Sequence, residues 1–420
     1  MKTFLANYKQ TLILIASIII GAIVGLVCGE KVEVLAPFGD LFLNLLLIII
    51  VPLVFLTIST SIAKISQPKR LGKILGTIVL VFVITSLVAV LVGLAVTYPI
   101  KLVNVEDTTK IQESLSKETE TDIAEATDDE TFISRFLSAL TVNDFSKLLS
   151  RDNLIAVIVF SIMFGVSIKM SGEKGLKTLE LLESIMHVVM SFLNLVMYYA
   201  PIGLGCYFAV LVGTMGASIA IGYAKTFIVY TIVALLFYFI IYTFYAFIAG
   251  GKKGVKRFWS SIIPATITSL ATCSSAASIP ANLKAAKDIG VSDDICETLI
   301  PLGTSFHKDG SIIGSVFKIM FLVCIFGGEI YTIAGFTQIL LVALVATLFV
   351  AGIPIGGGTI SEMMIITMMG YPAYALPILT IIATIIDPPA TLLNVVGDTS
   401  SSMLAARILD GKNWMNKNSK

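Results

Sequence analysis

Ala271-Thr272-Cys273-Ser274-Ser275-Ala276-Ala277-Ser278-Ile279-Pro280 lies in the middle of an apolar stretch, 258–290, whose two flanks are charged. Lys252, Lys253, Lys256 and Arg257 precede it, and Lys284, Lys287 and Asp288 close it. A helix that crosses a bilayer needs about 20 apolar residues, and neither arm on its own supplies them. A re-entrant hairpin with the serines at its tip fits this pattern. Such a tip offers hydroxyls and free backbone amides to a carboxylate. A Ser/Ala face for close helix packing is the other reading these residues allow.

The rest of the chain sets this stretch in a membrane. Of 420 residues, 56% are hydrophobic and 14% are charged, against roughly 25% charged in a soluble domain. A formal net charge of +1 gives no sign of a nucleic-acid partner. The five cysteines and two histidines show no disulfide or zinc spacing. No HExxH or GxSxG motif points to an enzyme, and no cofactor is implied. Apolar runs at 11–28, 38–65, 71–102, 152–171, 180–215 and 223–249 read as conventional helices. From 258 onward every run is interrupted.

The second interrupted unit, 332–370, repeats the design of the first. Ala351-Gly352-Ile353-Pro354-Ile355-Gly356-Gly357-Gly358 breaks any helix at its centre. Each hairpin is followed by an interrupted helix, which is the pattern of an inverted repeat. The helix after the first carries Gly303-Thr304-Ser305-Phe306-His307-Lys308-Asp309-Gly310-Ser311. The helix after the second carries Asp387-Pro388-Pro389-Ala390-Thr391, and Asp387, Thr391, Asn394 and Asp398 follow at spacings of 4, 3 and 4, on one helical stripe. Ionisable groups inside a membrane cost about 2.5–3.5 kcal/mol each on insertion scales and mark function by default. The expected architecture is therefore an all-α membrane protein of about eight transmembrane helices plus two re-entrant hairpins. Residues 1–102 hold three helices, 103–150 a polar loop, 151–250 helices four to six, and 251–420 a core of hairpins and interrupted helices. The stretch Glu106–Glu130, with ten acids and two lysines, is a solvated insertion. Loop lysines fall on one face if helices one to six alternate, which places both termini in the cytoplasm of a multi-pass plasma-membrane protein.

These motifs, taken in order, resemble the dicarboxylate/amino-acid:cation symporter family, which includes animal excitatory and neutral amino-acid transporters and archaeal aspartate transporters. The resemblance runs through Ile50-Val51-Pro52-Leu53-Val54-Phe55, Ala200-Pro201-Ile202-Gly203, Ser274-Ser275, Pro301-Leu302-Gly303, Asp309-Gly310-Ser311, Gly352-Ile353-Pro354 and Asn394-Val395-Val396-Gly397-Asp398. It implies a homotrimer with a static scaffold and a sliding transport domain, an elevator, with the second hairpin (Gly352, Pro354) as gate. It also implies that the tip at Ser274 and Ser275, with Ser311 and Asn394, holds a substrate α-carboxylate, that Asp387 holds the α-amino group, and that Thr391 shares the pocket. Thr85, Ser86, Gly303, Ser305, His307, Lys308, Asp309, Asn394 and Asp398 fall in the family's cation-coupling region, with Gly303, Asn394 and Asp398 as possible sodium ligands.

The departures from that family set the functional expectation. Acidic-amino-acid carriers place an arginine where this chain has Ala390, so a second substrate carboxylate lacks its bidentate partner. The expected substrate is a neutral or small polar amino acid. His307-Lys308 stands where sodium-coupled members have Asn-Met, and Val350 replaces a threonine. A lysine ammonium beside the cation-site oxygens replaces an ion, or a histidine or lysine carries a proton. Proton-coupled or sodium-independent transport is expected over full sodium coupling. Two alternatives stay open: a sodium-coupled carrier of acidic amino acids or C4-dicarboxylates, and a channel-like anion pore.

Overall fold

The computed structural model describes residues 2–64, 71–103, 141–148, 153–215, 217–328, 330–348, 350, 358–372 and 375–417. The acidic insertion Glu106–Glu130 and the tip residues Gly352 and Pro354 lie outside them. The first half contains α1 (Lys2–Cys28), α2 (Ala36–Lys64), α3 (Leu71–Thr97), α4 (Leu154–Met170), α5 (Glu173–Met215), α6 (Ala217–Leu236) and α7 (Tyr242–Ser261). Leu, Ile and Val fill these helices nearly all round. In lipid that composition forces helix, because each backbone N–H and C=O must be satisfied within its own segment. Among the described residues, four segments are long and apolar enough to cross a membrane: Lys73–Thr97, Ile219–Ser261, Asp293–Phe326 and Leu376–Asp410. Their outer faces stay apolar and exposed, as with Val79, Leu80, Val83 and Ile84 on α3, and Phe239, Phe244 and Phe247 around the α6–α7 junction. That junction is a single π-helical turn, Phe237–Ile241. Gly251 (φ 61°, ψ −154°) then bends α7 before its lysines.

The second half forms the two hairpins. α8 (Ile263–Thr272) and α9 (Ser275–Ile289) are the arms of the first. At 1.5 Å per residue they run about 15 and 22 Å, short of the roughly 30 Å hydrocarbon core. The turn between them uses Cys273 in the left-handed region (φ 48°) and Ser274 as N-cap, its Oγ accepting from the Ala277 N–H at 3.2 Å. Past Gly290, α10 (Asp293–Phe306) begins. Lys287 spans this corner to Glu297 (2.6 Å) and Asp293 (3.1 Å), and the two carboxylates, Glu297 first, raise its pKa above the usual lysine value. α11 (Asp309–Phe326) resumes the helix. α12 (Ile333–Thr347) and α13 (Thr359–Met369) are the arms of the second hairpin, and α14 (Leu376–Asp410) follows.

One expectation fails here. Asp387-Pro388-Pro389 was expected to interrupt the last helix, but α14 runs through it as one 35-residue helix. Proline removes the N–H that would bond four residues back and crowds that carbonyl. A helix packed on all sides by neighbours tolerates this, and α3, α6, α7, both arms of the first hairpin, α10, α11 and α13 all pack on α14.

Two groups of helices emerge from the packing. α1 and α2 lie against α5, and α2 against α4. α3 leaves its sequence neighbours and packs on α11 and α14. α6 and α7 join the same core.

Candidate functional site: a sealed polar cluster where two helices cross

α10 ends at Phe306 because His307 (φ −122°, ψ 114°) and Lys308 (φ −147°, ψ 76°) are extended. Gly310 then passes so close to α14 that a Cβ there would strike the Ala390 carbonyl. Only glycine permits this crossing, which brings the extended pair beside Asn394 and Asp398.

His307 is fully buried, and its ring stacks on Phe82 of α3 (centroids 4.4 Å, 13°). Nδ1 lies 3.0 Å from Asp398 Oδ1. Nε2 lies 2.8 Å from Thr85 Oγ1 and 3.2 Å from Asp309 Oδ1. The Thr85 hydroxyl donates its one proton to the Val81 carbonyl at 2.9 Å, so it accepts from Nε2. A carboxylate accepts at Nδ1. Both ring nitrogens therefore donate, and the hydrogen-bond pattern is that of an imidazolium set between two acids. The Tyr242 hydroxyl lies 3.1 Å from Asp309 Oδ2 and 2.7 Å from the Leu393 carbonyl, two acceptors for its one proton. Gly303 leaves room for the Asp398 carboxylate, which a Cβ there would strike.

Lys308 does not join these acids. Its ammonium donates to the Ser305 carbonyl (3.3 Å) and to the Val350 carbonyl, tying the extended segment to the second hairpin. The sequence placed this ammonium beside the cation-site oxygens, but the imidazole takes that position. Val350, read as a lost hydroxyl ligand, contributes its carbonyl instead. Ser305 contributes its carbonyl too, and its side chain is exposed. Ser86 is buried beside Thr85.

The substrate-side residues gather one turn further along. Ser311 N–H donates to Asn394 Oδ1 (3.1 Å), and Asn394 Nδ2 donates to Ser311 Oγ (3.0 Å). Asp387 accepts from Thr391 at 3.2 Å. Ala390, Thr391 and Asn394 are all buried. At the first tip, Ser274 and Ser275 are buried, and Ser274 takes the Ala277 N–H with its hydroxyl and the Ser278 N–H with its carbonyl. Asn282 fixes that hairpin to α14, donating to the Val395 carbonyl at 2.8 Å and accepting from Thr399. Sequence reading missed Tyr242, Asn282 and the buried pair Lys318–Glu362 (3.1 Å). A lone lysine in Ile312–Phe326 and a lone glutamate in Thr359–Met369 were the available signal for that pair.

Membrane-crossing helices and two hairpins around a buried, charge-balanced polar cluster define a membrane transport protein. The sequence comparison gives its family: a model of the sodium:dicarboxylate symporter family matches residues 11–408, and the chain belongs to that family of secondary transporters. It is similar to the proton/sodium-glutamate symport protein of Bacillus subtilis (strain 168), 28% identical over 398 residues, covering 93% of this chain and 90% of that protein. It is also similar to the C4-dicarboxylate transport proteins of the same strain (25% over 397 residues, 94% and 93%) and of Aeromonas salmonicida (strain A449) (27% over 415 residues, 97% and 94%).

Proposed function

We propose that this protein carries neutral or small polar amino acids across the plasma membrane without the family's full set of sodium ions. The carrying observation is His307, whose imidazole bonds Asp398 and lies 3.2 Å from Asp309, occupying with its own charge the space between two acids. Sodium needs several free oxygens. Here Asp398 Oδ1 already accepts from the ring, and the Asn394 amide is committed to Ser311. That donor set fits a tethered cation better than a free one.

In this reading Asp387 binds the substrate ammonium, while Ser311, Asn394 and the tip at Ser274–Ser275 bind its carboxylate. The second hairpin, with Gly352 and Pro354, closes over it. α1, α2, α4 and α5 are the scaffold of a homotrimer. The helices gathered on α14 are the body that slides as an elevator, carrying the inverted pair of hairpins. Both termini face the cytoplasm.

A second reading is a sodium-coupled carrier of acidic amino acids or C4-dicarboxylates, which the names of the relatives favour. Ala390 speaks against it, because a second carboxylate meets no guanidinium there. Uptake of labelled serine, glutamine, glutamate and succinate into proteoliposomes, in sodium and in choline media, separates the two. Sodium-dependent succinate or glutamate uptake with no serine uptake overturns the proposal.

A further inference from the structure

α11 carries Ser311, Ser315 and Lys318 at i, i+4 and i+7, so the three share one face. Each meets a different element. Ser311 pairs with Asn394 of α14, the Ser315 hydroxyl lies 3.2 Å from the Thr347 hydroxyl of α12, and Lys318 Nζ donates to Glu362 Oε1 of α13 at 3.1 Å. This face is a polar seam between the core and the second hairpin, and it starts at the residues assigned above to the substrate carboxylate. Side chains on a helix lean toward its N-terminus, so the Lys318 side chain, rooted about 10 Å along the axis from Ser311, leans back toward it.

The opposite wall leads to the same place. Asp387 and Ala383 are one turn apart on one face of α14. A Cβ built on Gly358 would lie 3.9 Å from the Ala383 Cβ, 3.1 Å from Glu362 Oε1 and 3.7 Å from Lys318 Nζ. Thr380, one turn earlier on α14, donates to Glu362 Oε2 at 2.9 Å. The pair thus lies one to two turns from Asp387 along α14, beside Gly358. Lys318 is 6% exposed, and among the described residues its ammonium makes no other hydrogen bond. An ammonium has three donors, and Glu362 takes one of them.

We propose that Lys318 and Glu362 form the side-chain subsite of the carrier. The preferred substrates are then amino acids bearing an uncharged group that both donates and accepts hydrogen bonds, a hydroxyl or a carboxamide. This rests on the amino-acid reading above. Such a group accepts from the lysine and donates to the glutamate at once. A second carboxylate on the substrate meets the Glu362 charge, a cationic side chain meets Lys318, and an aliphatic side chain leaves both without a partner.

The test measures binding and uptake of serine, glutamine, alanine and aspartate by the full-length protein in proteoliposomes. Variants are Glu362→Gln and the double substitution Lys318→Met with Glu362→Leu. The paired replacement removes both charges, which a buried site tolerates better than losing one. Wild type is expected to prefer serine or glutamine to alanine by about tenfold or more, the size of a hydrogen bond to a charged group. Glu362→Gln is expected to gain aspartate binding, and the double variant to keep alanine while losing the preference for serine and glutamine. A wild type that binds alanine as tightly as serine and glutamine overturns the subsite without any variant, and so does a double variant with the wild-type ranking. Absence of binding of every amino acid by wild type overturns the proposed function itself.

Discussion

Asp309 and Asp398 come within reach of a single imidazole, and burial sets the energetics of that arrangement. Removing one partner from a buried ion pair costs about 3–5 kcal/mol, because the remaining charge has neither water nor counter-ion. His307→Ala leaves two such acids facing an emptied space. Its thermal unfolding midpoint in detergent is expected to fall well below that of wild type. Sodium chloride, compared with choline chloride at equal ionic strength, is expected to recover part of the loss in the variant while leaving wild type unchanged. An equal response of both proteins to sodium contradicts the tethered-cation reading. Asp387 stands differently, eleven positions earlier on α14 and bonded by Thr391. The substrate ammonium is the cation proposed for this half-buried carboxylate. Asp387→Asn is expected to abolish amino-acid binding, measured by scintillation proximity, while size-exclusion chromatography shows an unchanged assembly. Wild-type affinity in that variant would remove Asp387 from the site.

Helices and hairpins were legible wherever a residue's cost in lipid is large and local. Serines at 274, 275 and 278 amid apolar residues, and His307-Lys308-Asp309 inside a helix, each announced a break, and both breaks occur. Pro388-Pro389 announced one that does not occur, because proline's local cost is offset by neighbours that sequence does not show. Lys318 and Glu362 were visible singly but not as a pair, since 44 positions separate them and no period connects residues on α11 to residues on α13. His307 stood out as an ionisable residue inside a helix, whereas the place of Tyr242 beside Asp309 and the stacking of His307 on Phe82 depend on how α7 and α3 pack on the core. The crossing at Gly310 makes an element-level prediction. A Cβ there meets the Ala390 backbone carbonyl, which cannot rotate away. Gly310→Ala must push α11 from α14 and separate Ser311 from Asn394. Overpacking of this kind costs typically about 1–3 kcal/mol. The variant is expected to assemble, to unfold at a lower temperature and to lose most amino-acid binding. Retention of wild-type affinity would show that the Ser311–Asn394 pair is not part of the substrate site.

For the molecule as a whole, the charges buried in the proposed moving body decide what can travel with it. His307 and Lys308 contribute two positive charges, Asp309 and Asp398 two negative, and Lys318 with Glu362 cancel. Among the described residues these buried charges sum to zero, and a zwitterionic amino acid adds no net charge to them. A sodium ion placed about 4 Å from the imidazolium is opposed by about 4 kcal/mol at an effective dielectric near 20, roughly a thousandfold in affinity. Substrate affinity is accordingly expected to change little between sodium and choline media, whereas the double substitution His307→Asn with Lys308→Met frees the oxygens and is expected to introduce sodium dependence. In the proposed elevator, closure without substrate leaves Asp387 without the ammonium proposed for it, so the empty body is expected to return slowly. Proteoliposomes preloaded with unlabelled amino acid are expected to take up label many times faster than empty ones, without a sodium gradient. Equal rates in loaded and empty vesicles would show that Asp387 is neutralised on the return path by something other than substrate. A steep, multi-ion sodium dependence in the wild type would show that His307 leaves the cation sites open.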